Sequence, residues 1–437
     1  MKHLYRKYNH RETVLFVSLY PRRGELYSSG TSGVASYAKN VITHLSQPVV
    51  VLANREAGKK LYEEEHVLVS RVFQKGNYFL WLQVLKELLK FNNVKKIVIQ
   101  FDFGMYGSLI STALILPFLL LIKLMGKEVF IISHHVITNV FNLKGHVGLG
   151  EGWGSRVKGN LYNFLFRSFY FMKSMLVKKI VVLEDPLKKM LAKYVPEHKI
   201  EVINHGVDTN LKPISKRKAR ELLNLKQDNF LIEFFGFVNW FKGADFFAQT
   251  FKNSKTLLNK NVSAVIAGGE SPTMKSKKFY QNYFNNVTKI VSDSPVVNMT
   301  GYVAQKDLVK YFSAADLVIF PYRSFMTASG VMSLALSYGK PFVVSKELAK
   351  MFESTDFKKT LSEVGLKKSD ITFSLNKRSC VTTAENVLRN GIKRKMAKLA
   401  GIERVKRDYR ITAQAYEQLF EAKPLFVFGN RLGFNTK

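Results

Sequence analysis

The sequence predicts an α/β protein of two doubly wound domains, each a parallel sheet covered by helices on both faces, facing each other across a cleft. Three observations predict it. The 437 residues are too many for one ordinary α/β core and comfortable for two. Unbroken apolar runs of strand length alternate with helical segments in both halves, the pattern of strands buried on both faces. A polar stretch over 208–218, with Pro213, separates the halves. It sets the domains at 1–207 and 208–402, followed by a closing segment over 403–437.

In the first half, TVLFVSL (13–19) reads as a buried strand. The glycine turn at 30–33 opens a helix over 34–45, and 49–53 is the next strand. An amphipathic helix over 78–91, a strand over 97–101, a helix over 109–125 and a strand over 129–133 follow. Then come a helix over 161–177, a strand over 179–183, and a helix over 185–194 with Asp185 as its cap and Pro186 in its first turn. A strand over 199–204 closes the half. In the second half, a strand over 230–235 leads to a loop with Lys242-Gly243 and a helix running through Phe251. A strand over 262–267 ends in Gly268-Gly269. A short strand over 296–299, a helix over 305–312, a strand over 317–320, a helix over 329–337 and a strand over 341–344 complete the pattern. Facing domains of this kind bind ligands between the carboxyl ends of their strands.

Composition bounds the chemistry. Hydrophobic residues at 46% with 23% charged residues mark a globular chain. The single cysteine, Cys380, excludes a disulfide framework and a cysteine-based zinc site. The basic start MKHLYRK has no apolar run of the signal-peptide kind, so a cytoplasmic location is expected. Sixty-seven Lys and Arg against thirty-three Asp and Glu leave a net charge of +34, which attracts polyanions. Residues 156–199 hold ten basic and three acidic side chains, and 389–410 hold nine and two, so the charge forms local faces. Neither a helix-turn-helix nor base-stacking aromatics on a sheet face is visible. Nucleic acid is therefore not expected as a partner, which leaves anionic lipid and phosphorylated small molecules.

Two apolar segments bear on the membrane. LISTALILPFLLLIKLM (109–125) is nearly long enough to span a bilayer. Pro117, Lys123 and its strand–helix–strand setting favour a buried crossover helix. In GNLYNFLFRSFYFMKSMLVKK (159–179), Asn160, Asn163, Arg167, Ser174 and Lys178 form one polar stripe on an otherwise apolar, aromatic helix. That helix suits either a bilayer interface or the first domain's core.

Three motifs fall at strand ends. SSGTSG (28–33) follows the first strand, and its glycines allow a phosphate close to the backbone or make a plain tight turn. FGFVNWFKG (235–243) places Lys242, a compact cation suited to phosphate, seven residues beyond a strand end. An exposed loop lysine is the alternative. In the third, Ser329 can cap a helix opening with Gly330, whose partly positive amino end suits a diphosphate.

The order of HGVD (205–208), FGFVNWFKG, IAGGE (266–270), GYV with YFSAADLVIFPY (301–322) and ASGVMSLALSYGKPFVV (328–344) resembles glycosyltransferase family 4. The resemblance is dense in the second domain and reaches Ser32-Gly33 and Ser133-His134-His135 in the first. It implies the GT-B fold, with two Rossmann-like domains, and a closing helix that crosses back to the first domain. It implies an enzyme moving a sugar from a UDP- or GDP-linked donor, with no other cofactor and no metal. By the resemblance Lys242 binds the donor diphosphate, aided by backbone amides of Ser329, Gly330 and Val331. Gly236 and Gly269 belong to the same donor-binding motifs, and Gly33 lies under the donor. His134 matches the family histidine near the transferred sugar, with His135 beside it as the other register. A lipid-linked or cell-surface glycan acceptor and peripheral contact with an anionic membrane agree with the family and with the charge.

The departures are as informative. Phe237 stands where the family has arginine, and Met326 and Leu334 stand where it has two glutamates, one of which holds the ribose. Asp102 stands alone after a strand, and no acidic cluster is placed for a metal. Cationic protein groups then stabilise the departing diphosphate, and the lack of an obvious carboxylate nucleophile suits a front-face retaining reaction. Two readings stand side by side: a transferase, and a catalytically impaired GT-B protein that binds nucleotide or glycan as a scaffold.

Overall fold

A computed structural model describes residues 2–26, 33–254 and 256–421. The first sheet contains β1 (Val14–Ser18), β2 (Val49–Asn54), β3 (Leu61–Glu64), β4 (Val67–Phe73), β5 (Lys96–Phe101), β6 (Glu128–Ser133), β7 (Lys179–Val182) and β8 (Ile200–Val202). Its order is β3-β4-β2-β1-β5-β6-β7-β8. The second contains β9 (Phe230–Phe235), β10 (Thr256–Leu257), β11 (Lys260–Ala267), β12 (Val297–Met299), β13 (Leu317–Phe320), β14 (Phe342–Ser345) and β15 (Thr372–Phe373). It runs β10-β11-β9-β13-β14-β15, with β12 on β11. Pairing is parallel except at β3 with β4 and β10 with β11, both at edges. β1, β2 and β13 are buried along their whole length, as strands covered on both faces must be. These are two doubly wound domains, with antiparallel edge strands added to the expected parallel sheets.

The β3–β4 pair escapes the sequence reading because Ser70 and Arg71 interrupt the apolar run of β4. Arg71 is nevertheless buried. Its guanidinium donates to the carbonyls of Tyr20, Pro21 and Asn54 and to the Tyr62 hydroxyl, which offsets the burial of its charge. The helix predicted over 109–125 is two, Leu109–Ala113 and Ile115–Leu124. Pro117 lacks the N–H that would close a bond to Ala113, and the two helices part at Leu114. The helix predicted over 161–177 is longer, Trp153–Leu176. No helix among the described residues is long and apolar enough to cross a membrane.

Two crossings fix how the domains sit. Near the hinge, Val207 N–H donates to the Arg407 carbonyl at 2.6 Å. Beyond it, the helix Tyr409–Glu421 packs against Gly33–Ile42 in the first domain, with the Tyr37 and Tyr416 hydroxyls 2.9 Å apart. Residues 422–437 lie outside the described chain, so the tail of the closing segment is not placed. The second crossing is electrostatic. Arg407 is 2% exposed at its side chain and makes a forked pair with Glu184 of the first domain at 2.5 and 3.0 Å. It makes another with Asp356 of the second at 2.7 and 2.9 Å, and Glu403 lies 3.1 Å away. Burial pushes the Glu184 and Glu403 carboxyls up while Arg407 pulls them down. Removing the cation leaves buried carboxylates facing one another, a loss of about 3–5 kcal/mol. Arg407→Met is therefore expected to destabilise the protein by that amount in chemical denaturation. The loss should be smaller at acid pH, where protonation relieves the stranded carboxyls.

Candidate active site

The segments that follow the carboxyl ends of β1, β5, β6 and β7 in one sheet and of β9, β11 and β13 in the other line a single cavity of about 1160 Å³. On the second domain's side, β9 ends in Gly236 at φ +107°, a conformation that disfavours a side chain. A Cβ there would sit 3.1 Å from Lys242 Nζ and 3.3 Å from Val331 Cγ2. One turn, Trp240–Lys242, brings the lysine back into the cleft, and Gly243 at φ +75° ends it. A Cβ on Gly243 would lie 2.1 Å from the Pro321 carbonyl oxygen, so the Lys-Gly pair is a geometric unit. Lys242 has no ion pair or hydrogen bond among the described residues, and burial pushes its ammonium down to about 8.

Beside it begins the helix Gly330–Ser337. The Ser329 hydroxyl caps it, accepting from Met332 N–H at 3.2 Å and lying 3.1 Å from the Tyr322 hydroxyl. Gly330 and Val331 then hold the first helix amides without a partner in the turn. His205 lies against this end: a Cβ on Gly330 would be 3.6 Å from its Nε2. His205 Nδ1 meets the Gly206 carbonyl at 2.8 Å and Ser333 Oγ at 3.0 Å. Burial pushes its imidazole down to about 4, so the ring is neutral at physiological pH. The sequence reading used HGVD only as a family marker and missed this placement.

Across the cavity the paired histidines separate. His134 is 5% exposed, its Nε2 is 2.5 Å from Gln100 Oε1, and its ring meets the edge of Tyr37. Burial pushes it down to about 3, and it is held as an internal neutral ring. His135 is the more open of the two, with Nδ1 2.8 Å from Asp102 Oδ1 and Nε2 without a partner among the described residues. Although burial opposes its charge, Asp102 raises the imidazole above its usual value, and Lys242 is close enough to act against that. Asp102 does not stand alone, then, and is half of a dyad. The register Phe101↔Ser133 between β5 and β6 carries both residues out of adjacent strands together. Nothing in one sequence displays that register.

Gly33 opens the helix Gly33–Ile42 and lines the same cavity; Ser28–Ser32 lie outside the described residues. Gly269 also lines it, but a Cβ there would meet the backbone of Gly301 and Tyr302 at 3.0 Å, so close packing of chain segments already requires it. Met326 and Leu334 are buried apolar side chains. The Met326 carbonyl accepts from Val136 N–H at 2.8 Å, joining the domains beside His135. No group of three or more metal-ligating side chains is assembled among the described residues.

Residues 229–358, which carry Gly236, Lys242, Ser329, Gly330 and Val331, match the family model for glycosyl transferases group 1. The chain has the GT-B fold, and its match to that family model lies within the second domain. The GT-B assignment extends over the first domain as well. UDP- and glucose-bound HepE of Anabaena aligns with a TM-score of 0.64 at 15% identity, over 94% of this chain and 99% of that one. Sucrose-phosphate synthase of Thermosynechococcus elongatus aligns with a TM-score of 0.68 at 13% identity, over 94% and 100%. A D-inositol 3-phosphate glycosyltransferase of Streptosporangium roseum is 28% identical over 127 residues, 28% of each chain.

The site geometry has a direct spectroscopic consequence. In a histidine-resolved NMR titration, His135 is expected to protonate above the free-imidazole value of about 6.5, and Asp102→Asn to bring it below that. His134 and His205 should stay neutral far into acid in both proteins.

Proposed function

We propose that this protein is a glycosyltransferase that moves a sugar from a nucleotide donor to a lipid-linked or glycan acceptor. The observation that carries the reading is the convergence of Lys242 Nζ with the free amides of Gly330 and Val331 in one cleft, opposite the His135–Asp102 dyad. A diphosphate is the anion that a compact cation and a helix amino end hold together. The UDP and UDP-glucose in the aligned HepE structures support a uridine donor. With the diphosphate on Lys242, the sugar lies toward His135, which Asp102 holds in one orientation.

In the reaction the bond from the anomeric carbon to the phosphate oxygen breaks, and the nucleoside diphosphate leaves with the electron pair. Lys242 and the helix amides stabilise that charge as it forms. The acceptor oxygen bonds to the anomeric carbon on the same face, and its proton passes to the departing phosphate oxygen. The stereochemistry is retained. Charge compensation comes from protein groups, without a bound metal. The basic faces and an exposed apolar surface on the first domain support work at the cytoplasmic face of an anionic membrane, where each nearby Lys or Arg adds about 1 kcal/mol of attraction.

A second reading, a scaffold that binds nucleotide without turnover, is favoured by Met326 and Leu334 alone, since neither side chain can hold a ribose hydroxyl. A thermal-shift panel of UDP-, GDP- and ADP-sugars, followed by assay of sugar release, separates the two. A donor at a hundred times its Kd is expected to add about 2.7 kcal/mol of stability. Lys242→Ala should weaken nucleotide binding by about 1.5–3 kcal/mol, and His135→Ala should slow release while leaving that binding in place. Donor-induced stabilisation with no release under any acceptor would favour the scaffold. Because a bound diphosphate raises the Lys242 ammonium from about 8, binding takes up a proton above that pH. Affinity should be greatest below pH 8 and weaken as pH rises beyond it, a dependence lost in Lys242→Ala.

A further inference from the structure

The cavity does not end at the catalytic groups. It continues between the helices Leu109–Ala113 and Trp153–Leu176, where Ile110, Ala113, Leu116, Leu165, Phe169 and Met172 line it. Ile110, Ala113, Leu165 and Met172 are exposed as well as lining, so this part opens to the surface through an apolar mouth. Of the polar side chains on this stretch, Ser108 and Thr112 are bonded within their own helix, which leaves Tyr162 and Ser168 for a soluble sugar acceptor.

The long helix beside the mouth buries polar side chains along with Phe169 and Tyr170 and leaves large apolar ones outside. Asn163, Lys173 and Ser174 face inward, while Phe164 at 64% and Phe171 at 52% exposure face out with Leu161 and Met175. The inward polar groups have partners. Asn163 accepts from Val140 N–H at 2.7 Å, and Lys173 Nζ donates to Ser133 Oγ at 3.1 Å with the Phe101 ring 4.4 Å away. On the adjoining helix Ile115–Leu124, Leu120, Leu121 and Leu124 are exposed, and Lys123 Nζ donates to the Met175 carbonyl at 2.9 Å, so the apolar faces adjoin. Arg156, Lys158 and Arg167 are exposed on the same long helix, cations where lipid phosphates would lie. An apolar patch of this kind rimmed by charge marks an interaction surface.

We infer that the acceptor is an amphiphile with its own hydrocarbon chain, drawn from the membrane through this mouth. The chain lies between the helices Leu109–Ala113 and Trp153–Leu176 and presents its hydroxyl to His135. The inference rests on the glycosyltransferase reading and narrows its lipid-linked or glycan acceptor to a molecule whose own hydrocarbon chain enters the cavity. A second copy of this chain could cover the outer face, but only a slender apolar body runs on from the mouth to the catalytic groups.

The test is calorimetric binding of hexyl, octyl, decyl and dodecyl glucosides below their micelle concentrations, with UDP stabilisation measured in parallel. Affinity is expected to rise about fourfold per added methylene until the groove fills. Ala113→Phe, which narrows the groove, and Leu165→Asp, at its mouth, should each flatten that rise while UDP stabilisation persists. No chain-length dependence in the parent protein, or the same dependence in both variants, overturns the proposal while leaving the transferase reading intact. A dimer that Phe164→Asp dissociates would assign the face to a second copy and overturn it too. Absence of UDP, GDP and ADP-sugar stabilisation in the parent protein would instead remove the reading beneath it.

Discussion

Lys242 carries a charge into a cleft where no carboxylate among the described residues pairs with it, and the surroundings make sense around that imbalance. A half-buried ammonium without an acid is costly unless an anion arrives. The fold spends three local constraints on keeping it there: a side-chain-free position at Gly236, the left-handed turn at Gly243, and a helix whose first amides open beside it. The neutral His205 at the helix start adds no competing charge. Under the proposed function a diphosphate supplies that anion, and its charge grows as the sugar bond breaks.

The cleft exists only because two domains are held at a fixed separation. Arg407 does this from the second crossing, with one carboxylate from each domain on its guanidinium. Tyr37 links the first crossing to the site, since its hydroxyl meets Tyr416 while its ring packs on His134 and His205. The Val136–Met326 backbone bond closes the contact beside His135. Met326 and Leu334 fit this picture as packing residues, and the polar groups at the helix start are backbone amides, His205 and Ser333.

Much of this was legible in the sequence because it is periodic or local. Buried strands announce themselves as apolar runs, and the strand-to-loop glycines and Ser329 cap are short-range features. What was hidden depended on partners distant in the chain. Arg71 looks like a surface residue until three carbonyls are found around it. Asp102 looks solitary until the register of β5 and β6 sets it on His135. The polar stripe read over 159–179 does not face one way: Asn163 and Ser174 are buried and Asn160 and Arg167 exposed, a division set by partners such as the Val140 N–H that exist only in the folded first domain.

The claim that one cation and a helix end together hold a diphosphate is tested most directly by titrating UDP and UMP into the parent protein and Lys242→Met. The distal phosphate should bring most of the affinity, and the substitution should erase the advantage of UDP over UMP while leaving UMP binding nearly as it was. Equal losses for both nucleotides, or an undiminished preference for UDP, would contradict it.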